Sequence, residues 1–457
     1  MRVVVVGGDA AGMTAASVVE RRRDDVEIVV VERGPYTSYS MCGIPYHVAG
    51  WIDDADALVS RTPEDFRARG MTVHMRTEAV AIDAGAGSVT VRDLETGQEH
   101  DEPYDALLYA TGAHPVVPDL PGIAEHGYVV HTLDEGERLR RALDRRDDVR
   151  TVAIVGAGYI GIEIAEALVE RDITTHLIDR SPHVMRTMDV DMAERLEQIM
   201  ADFGIRLHLG EELTELGTEG GRCRQVVTDA GCYDADLLVL AMGGTPNVAL
   251  ADDAGCELGP SGALVVDPRM RTTVDGIWAA GDVVESRDLV AGKRVNVQLG
   301  THANKQGKVA GVDIAAQPGD GDATFPGVVG TAVTKLCAWE VARVGLTERE
   351  AREEGIEHAA VSFTGTATAG YMPDPGVVHV KMLAERGTGR VLGAQLLGTG
   401  NVAKRIDVAA VWCQLGVRVQ DAQFLDLSYA PPFGGVWDLM LVAARKLTLE
   451  LGLSPQL

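Results

Sequence analysis

The 457-residue sequence predicts an α/β chain in which a strand–turn–helix–strand unit occurs twice and a separate sheet-and-helix unit follows. Two observations carry this reading. The runs MRVVVVGG at residue 1 and TVAIVG at residue 151 are almost wholly apolar and open into glycine-rich turns, as strands buried on both faces of a parallel sheet do. Further along, GVVHVKML and VLGAQLLG read as antiparallel strands with helical stretches behind them. The length calls for several domains, and 46% apolar residues supply their cores. A net charge of −26 repels phosphate backbones and anionic lipid, which excludes nucleic acid and membrane surfaces as expected partners. No uncharged apolar run reaches about 18 residues and the chain opens directly on a strand, so a cytoplasmic location is expected. The six cysteines are scattered without a CxxC pair, so neither structural disulfides nor a metal site is expected.

In chain order, VVVV leads into GGDAAG, then the helical stretch MTAASVVERRR, then EIVVVER ending at Glu32 and Arg33. Gly7 and Gly12 let backbone approach a pyrophosphate at a helix N-terminus, and the acid twenty residues beyond Gly12 suits ribose hydroxyls. Asp9 replaces the middle glycine. The second copy keeps all three, Gly156, Gly158 and Gly161, with Tyr159 and Ile160 between them and Asp179 at the next strand end. The two units therefore predict two Rossmann-like dinucleotide-binding domains. Asp179 suits the hydroxyls of NADH and repels a 2′-phosphate, whereas the adjacent Arg180 attracts one; the balance leans to NADH. YATGAHPVVPDLPG (109–122) and LAMGGTPN (240–247) read as crossings between the two domains, and AQPGDGDATFPG (316–327) as a linker.

One stretch is not explained by nucleotide binding: SYSMCGIPY, with Cys42 inside it. By itself a free cysteine packs as a small hydrophobe. Taken with the two glycine units, ATG at 110–112 and TTVDGIWAAGDV at 272–283, the chain resembles the pyridine nucleotide-disulfide oxidoreductase flavoproteins over essentially its whole length. The resemblance implies an FAD domain at 1–113 and 247–322, an NAD(P)H domain at 114–246 and an α+β dimerisation domain at 323–457 of a homodimer. It places Ala110, Thr111 and Gly112 by the FAD, Gly281 and Asp282 at its ribityl chain, and the start of the helix within LGTHANKQG at the flavin's pyrimidine edge. It makes Tyr159 a gate over the flavin and Glu163 an acid beside it.

Two-cysteine members carry C-x4-C here, but Thr37 and His47 flank Cys42 at that distance, so the stretch from Ser38 to Tyr46 resembles the single-cysteine branch. That branch contains coenzyme A-disulfide reductases, NADH oxidases and NADH peroxidases. A thiol at the start of a helix is expected to ionise readily, and with one protein sulfur the second reacting atom comes from a small thiol or from oxygen. Oxidases and peroxidases of the branch carry a histidine in the first glycine loop, where this chain has Ala10. Tyr429, in YAPPFG, and Tyr371, in ATAGYMP, resemble the two active-site tyrosines of coenzyme A-disulfide reductases, Tyr429 acting across the dimer. Arg21 and Arg22, where those reductases meet coenzyme A phosphates, and Ser38 are the substrate-side candidates; the other five cysteines are expected to pack. The resemblance thus implies NAD(P)H-dependent reduction of a small disulfide or persulfide, coenzyme A foremost. An oxidase or peroxidase working through a Cys42 sulfenic acid, and an electron-transfer reductase for a small iron-sulfur protein, are the alternatives.

Overall fold

The computed structural model describes residues 1–145, 148–317, 320 and 323–454. Two five-stranded parallel sheets form the first two units. The first runs, edge to edge, Ile277–Ala279, Ala106–Tyr109, Arg2–Val6, Glu27–Val31 and Thr72–His74. Val3, Val4 and Val5 are essentially inaccessible at its centre, in a core they share with Ala11, Ala15 and Ala310 of two helices and with Val89 and Val91 of an antiparallel sheet, which is why the sequence there has no polar alternation. The helix Ala10–Arg22 lies against Gly300–Ile314 at a distance only glycine permits: a Cβ on Gly307 would stand 2.2 Å from the carbonyl oxygen of Ala11, and one on Gly311 2.7 Å from that of Ala15.

The second sheet repeats the plan, in the order Arg206–Leu209, Thr174–Asp179, Thr151–Val155, Leu237–Leu240 and Gly127–Val129. The two crossings meet as a ribbon in which Ala113–Pro115 pairs antiparallel with Gly244–Pro246. Each parallel unit also carries a three-stranded antiparallel sheet, Thr77–Asp83, Ser88–Asp93 and Glu99–Pro103 in one, Leu213–Glu219, Arg222–Thr228 and Cys232–Asp234 in the other. Composition gives little sign of them, since a strand such as EHDEP has almost no apolar face.

The third unit is antiparallel, ordered Ala332–Leu336, Trp339–Gly345, Val391–Gly398, Val378–Glu385 and His358–Gly365, with the helices Val402–Leu415 and Leu439–Glu450 packed on it. The expected linker at 316–327 lies partly outside the described residues. No helix among the described residues is long and apolar enough to cross a membrane.

The units interlock. Ile44, Val48, Ala55 and Leu58, early in the chain, belong to the core of the second unit, not the first. Gly136 makes this possible, because a Cβ there would meet Ile44 Cγ2 at 2.2 Å. Between the second and third units, Lys381 Nζ contacts Asp191 at 2.6 Å, Glu348 at 2.7 Å and Asp189 at 3.3 Å. Asp189 also binds the Gln395 amide at 2.7 Å and accepts from the Glu348 N–H at 2.9 Å.

Candidate functional site

Cys42 sits in the single 3₁₀ turn Met41–Gly43 that runs into the helix Ile44–Ala49. Because that helix packs on the second unit while the preceding chain belongs to the first, the thiol lies at the seam between them. The groups acting on it come from both sides. Burial pushes the thiol above its ordinary range, and the carboxylates of Glu163 from the second unit and Asp282 and Asp9 from the first push it further. The expected readily ionised thiol is thereby corrected: a six-residue helix offers little dipole, and three acids outweigh one backbone hydrogen bond.

Glu163 lies on the helix Tyr159–Val169 and accepts a hydrogen bond from Thr334 Oγ1 at 2.8 Å. Burial raises it to about 7, so it holds or releases a proton near neutrality. One turn on, Glu166 pairs with Lys335 and takes the Cys337 N–H at 2.7 Å. Tyr46 stacks on Trp51 with ring centres 5.5 Å apart, and burial together with Glu163 and Glu166 carries its phenol to about 12.

The glycine turns test whether dinucleotides fit. Gly7 has φ +108° and a Cβ there would lie 2.1 Å from Ala110 O; a Cβ on Gly12 would lie 1.9 Å from Gly7 O. In the second unit Gly156 and Gly161 repeat these contacts, at 2.2 Å to Ala241 O and 1.9 Å to Gly156 O. Gly158 faces open space with no atom within 4 Å, as close approach by a phosphate requires. Glu32 accepts from the N–H groups of Gly8 and Gly34 at 2.6 Å, and Asp179 from Ala157 and Ser181 at 2.7 Å, so each acid closes the turn it follows.

At the end of Ala106–Tyr109, Thr111 and Asn247 exchange two hydrogen bonds, Thr111 Oγ1 to Asn247 O at 2.9 Å and Asn247 Nδ2 to Thr111 O at 2.8 Å. Ala110 backs Gly7, and Gly112 turns with φ +65°. Gly281 is held by Gln306 through its N–H at 2.9 Å. The Asp282 carboxylate has no hydrogen-bond partner among the described residues, and burial alone raises it to about 6, which fits a group waiting for ligand hydroxyls. Asp9, seen in the sequence only as a missing glycine, accepts the Tyr39 N–H at 3.0 Å and is raised to about 7, chiefly by burial. The Tyr159 hydroxyl is buried, with Thr187 as its neighbour.

Other candidates stand apart. Ser38 adopts φ +50° and donates its N–H to Gly8 O at 3.1 Å, which fixes the loop against the first glycine turn. Arg33 is exposed, 3.8 Å from Glu78. Arg21 and Arg22 end the first helix in solvent, Arg22 3.7 Å from Asp320. Tyr371 and Tyr429 lie on the third unit and share a hydrogen bond, with exposures of 74% and 45% beside the exposed Phe433, Val436 and Trp437. Of the cysteines expected to pack, Cys223, Cys256 and Cys413 are buried and Cys337 half-buried, but Cys232 is exposed.

Two parallel nucleotide units, a single thiol at their seam and a third antiparallel unit define a dinucleotide-dependent oxidoreductase class. The family model described as pyridine nucleotide-disulphide oxidoreductase matches residues 1–307, and the model for its dimerisation domain matches 331–440. The chain belongs to the pyridine nucleotide-disulphide oxidoreductase family, whose enzymes use FAD and NAD(P)H. It is 38% identical over 448 residues to the NAD(P)H coenzyme A polysulfide/persulfide reductase of Pyrococcus horikoshii, covering 98% of each chain. It is 33% identical over 449 residues to an NADH oxidase of Methanocaldococcus jannaschii, covering 97% of this chain and 98% of the other. Among solved structures, an engineered water-forming NADPH oxidase bound to NADPH, derived from the Lactobacillus brevis enzyme, superposes with a TM-score of 0.93 at 27% identity over 99% of both chains.

Proposed function

We propose that the protein is a homodimeric NAD(P)H-dependent reductase of a small disulfide or persulfide, coenzyme A foremost, with Cys42 as its redox thiol. The observation that carries this is a solvent-accessible cysteine whose partly buried thiol feels Glu163 of one nucleotide unit and Asp282 of the other. The units divide as 1–113 with 247–322, 114–246 and 323–457. FAD, when bound, supplies the two-electron relay between NAD(P)H and sulfur. Gly7, Gly12 and Asp282 would hold it, and Gly156, Gly158 and Gly161 would admit the nicotinamide dinucleotide.

The net change for a disulfide is RSSR + NAD(P)H + H⁺ → 2 RSH + NAD(P)⁺. The Cys42 thiolate attacks one sulfur of the substrate, so that the substrate S–S bond breaks, one half leaves as a thiolate and the other stays on Cys42 as a mixed disulfide; the two electrons from NAD(P)H then cleave that mixed disulfide, freeing the second thiolate and restoring Cys42. Glu163, raised to about 7, carries the proton at the seam. Tyr429, beside Tyr371, protonates the thiolate from a second copy, which requires the exposed apolar surface around it to pair.

The Methanocaldococcus relative favours an oxidase as the second reading. Ala10 speaks against it, because the oxidase resemblance calls for a histidine there. Side-by-side assays separate the two. Coenzyme A disulfide reduction is expected to exceed oxygen consumption, and Cys42→Ser to abolish it while FAD stays bound and the long-wavelength thiolate-to-flavin band disappears. Oxygen consumption dominating in the wild type overturns the proposal.

Coenzyme choice has a further comparison. In the engineered NADPH oxidase the substitutions include an acid to alanine, then alanine to arginine and methionine to serine at the next two positions, and proline to arginine five residues later. The same spacing from Asp179 in this chain reads Arg180, Ser181 and Arg186.

A further inference from the structure

The first glycine turn carries a carboxyl that dinucleotide binding does not call for. Asp9 stands where the second unit has Gly158, at the N-cap of the helix Ala10–Arg22. An aspartate there ordinarily spends its carboxylate on the first free N–H groups of the helix. Asp9 makes no such capping bond and instead accepts the N–H of Tyr39, far along the loop beyond the next strand, at 3.0 Å.

Tyr39 lies in the segment that leads to Cys42, and that segment is held on two sides. On the side of the first unit, Ser38 donates its N–H to Gly8 O at 3.1 Å, next to the Asp9 contact. On the other side Ser40 donates to Leu58 O at 2.9 Å and Ser60 to Ser38 O at 2.8 Å, with Leu58 rooted in the core of the second unit. Gly43 then donates its N–H to Ser40 O at 2.9 Å and closes the turn that bears Cys42. A short path of hydrogen bonds thus runs from the Asp9 carboxyl to the turn of the thiol.

The same carboxyl acts on the thiol through space. Burial is the main cause that lifts Cys42 above its ordinary range, and Asp9 adds to it together with Glu163 and Asp282. Burial likewise raises Asp9 to about 7, with Glu32 and Asp282 adding to the rise and the Tyr39 and Ala10 N–H groups opposing it. The thiol therefore titrates where Asp9 is already ionised, and feels its full charge. Two phenols stand nearby. Burial with Asp9, Glu32, Asp134 and Glu135 keeps Tyr39 neutral, and burial with Glu163 and Glu166 does the same for Tyr46.

We propose that Asp9 is a positioning residue for Cys42, tying the loop of the redox thiol to the first glycine turn and restraining the thiol's ionisation. The tether and the charge are separable, because asparagine keeps an oxygen that accepts the Tyr39 N–H without the charge, whereas glycine keeps neither. The inference rests on Cys42 being the redox thiol of the proposed reductase.

The test uses the FAD-loaded dimer as wild type, Asp9→Asn and Asp9→Gly. Alkylation of Cys42 by iodoacetamide, followed across pH by mass spectrometry, reads the thiolate. Asp9→Asn should alkylate about two- to tenfold faster near neutral pH, with its rate profile moved toward acid. Amide hydrogen exchange in the peptide containing Tyr39 reads the tether. Asp9→Asn should exchange within about threefold of wild type and Asp9→Gly at least about tenfold faster. The thiolate-to-flavin band should keep its intensity in Asp9→Asn and weaken in Asp9→Gly. An Asp9→Asn alkylation profile that coincides with wild type overturns the electrostatic role, exchange at Tyr39 unchanged in Asp9→Gly overturns the tether, and either defeats the proposal. Loss of flavin from Asp9→Asn would assign the carboxyl to the cofactor and overturn it as well. A wild type without the thiolate-to-flavin band would instead reject Cys42 as the redox thiol, and alkylation and exchange would still decide the part of Asp9.

Discussion

Lys381→Met removes the one cation that three carboxylates share between the second and third units. Its side chain is 6% exposed and its nitrogen lies 2.6, 2.7 and 3.3 Å from Asp191, Glu348 and Asp189. Methionine keeps most of the aliphatic volume, so the loss is electrostatic. Stripping one partner from a fully buried ion pair costs about 3–5 kcal/mol. Asp191 is 43% exposed and Glu348 25%, so water recovers part of that, and about 2–3 kcal/mol is expected, on the principle that exposed pairs contribute little. At roughly 2–4 °C per kcal/mol for a domain of this size, the thermal midpoint of the third unit should fall by about 4–12 °C.

The pH dependence has a definite sign. Burial opposes ionisation of Glu348, but the hydrogen bond and charge of Lys381 outweigh it and hold the carboxyl below its ordinary range. A depressed carboxyl contributes stability above its unfolded value and loses it as pH falls through its folded value. The gap between wild type and Lys381→Met should therefore be widest near neutrality and narrow in acid as the carboxylates take up protons. Lys381 itself is raised despite burial, by its hydrogen bonds to Asp191 and Glu348, so its contribution disappears only in strong alkali. Calorimetric scans at neutral and acidic pH, with Lys381→Arg as the charge-keeping control, read this directly. A variant as stable as wild type at neutral pH, or a gap that widens in acid, would refute the reasoning.

Gly307→Val should separate the two helices that frame the first glycine turn, because its Cβ would stand 2.2 Å from Ala11 O; a loss of about 1–3 kcal/mol and weakened FAD retention are expected, measured by melting and by the flavin-to-protein absorbance ratio. Tyr429→Phe should slow turnover of the disulfide while flavin reduction by NAD(P)H proceeds at close to the wild-type rate in stopped flow. Mixing inactive Tyr429→Phe with inactive Cys42→Ser subunits should restore part of the activity, since one site of a mixed dimer draws both intact residues. No recovery in demonstrably mixed dimers would place the tyrosine's role within its own chain.

Much of this protein was legible because its constraints are local. A strand covered on both faces must be apolar throughout, so VVVV and TVAIV announced parallel sheets. Gly7, Gly12, Gly156 and Gly161 were readable because a Cβ at any of them would collide with backbone that the turn itself brings close. The two polar antiparallel sheets escaped, since their pairing satisfies backbone groups without a long apolar face, and Cys232 proved exposed on one of them.

What tertiary structure alone decided is the surroundings of each reactive group. Cys42 looked like a thiol primed by a helix start, but the fold partly buries it and sets Glu163 and Asp282 near it from far along the chain, which reverses the direction of its shift. Asp179 and Arg180 are adjacent in sequence, yet one turns into the backbone and the other lines a cleft with Arg186, so the same pair of letters changes meaning with side-chain direction. Backbone conformation follows from near neighbours, whereas ionisation and ligand choice depend on charges and on exclusion of water, which the chain acquires only when distant segments pack together.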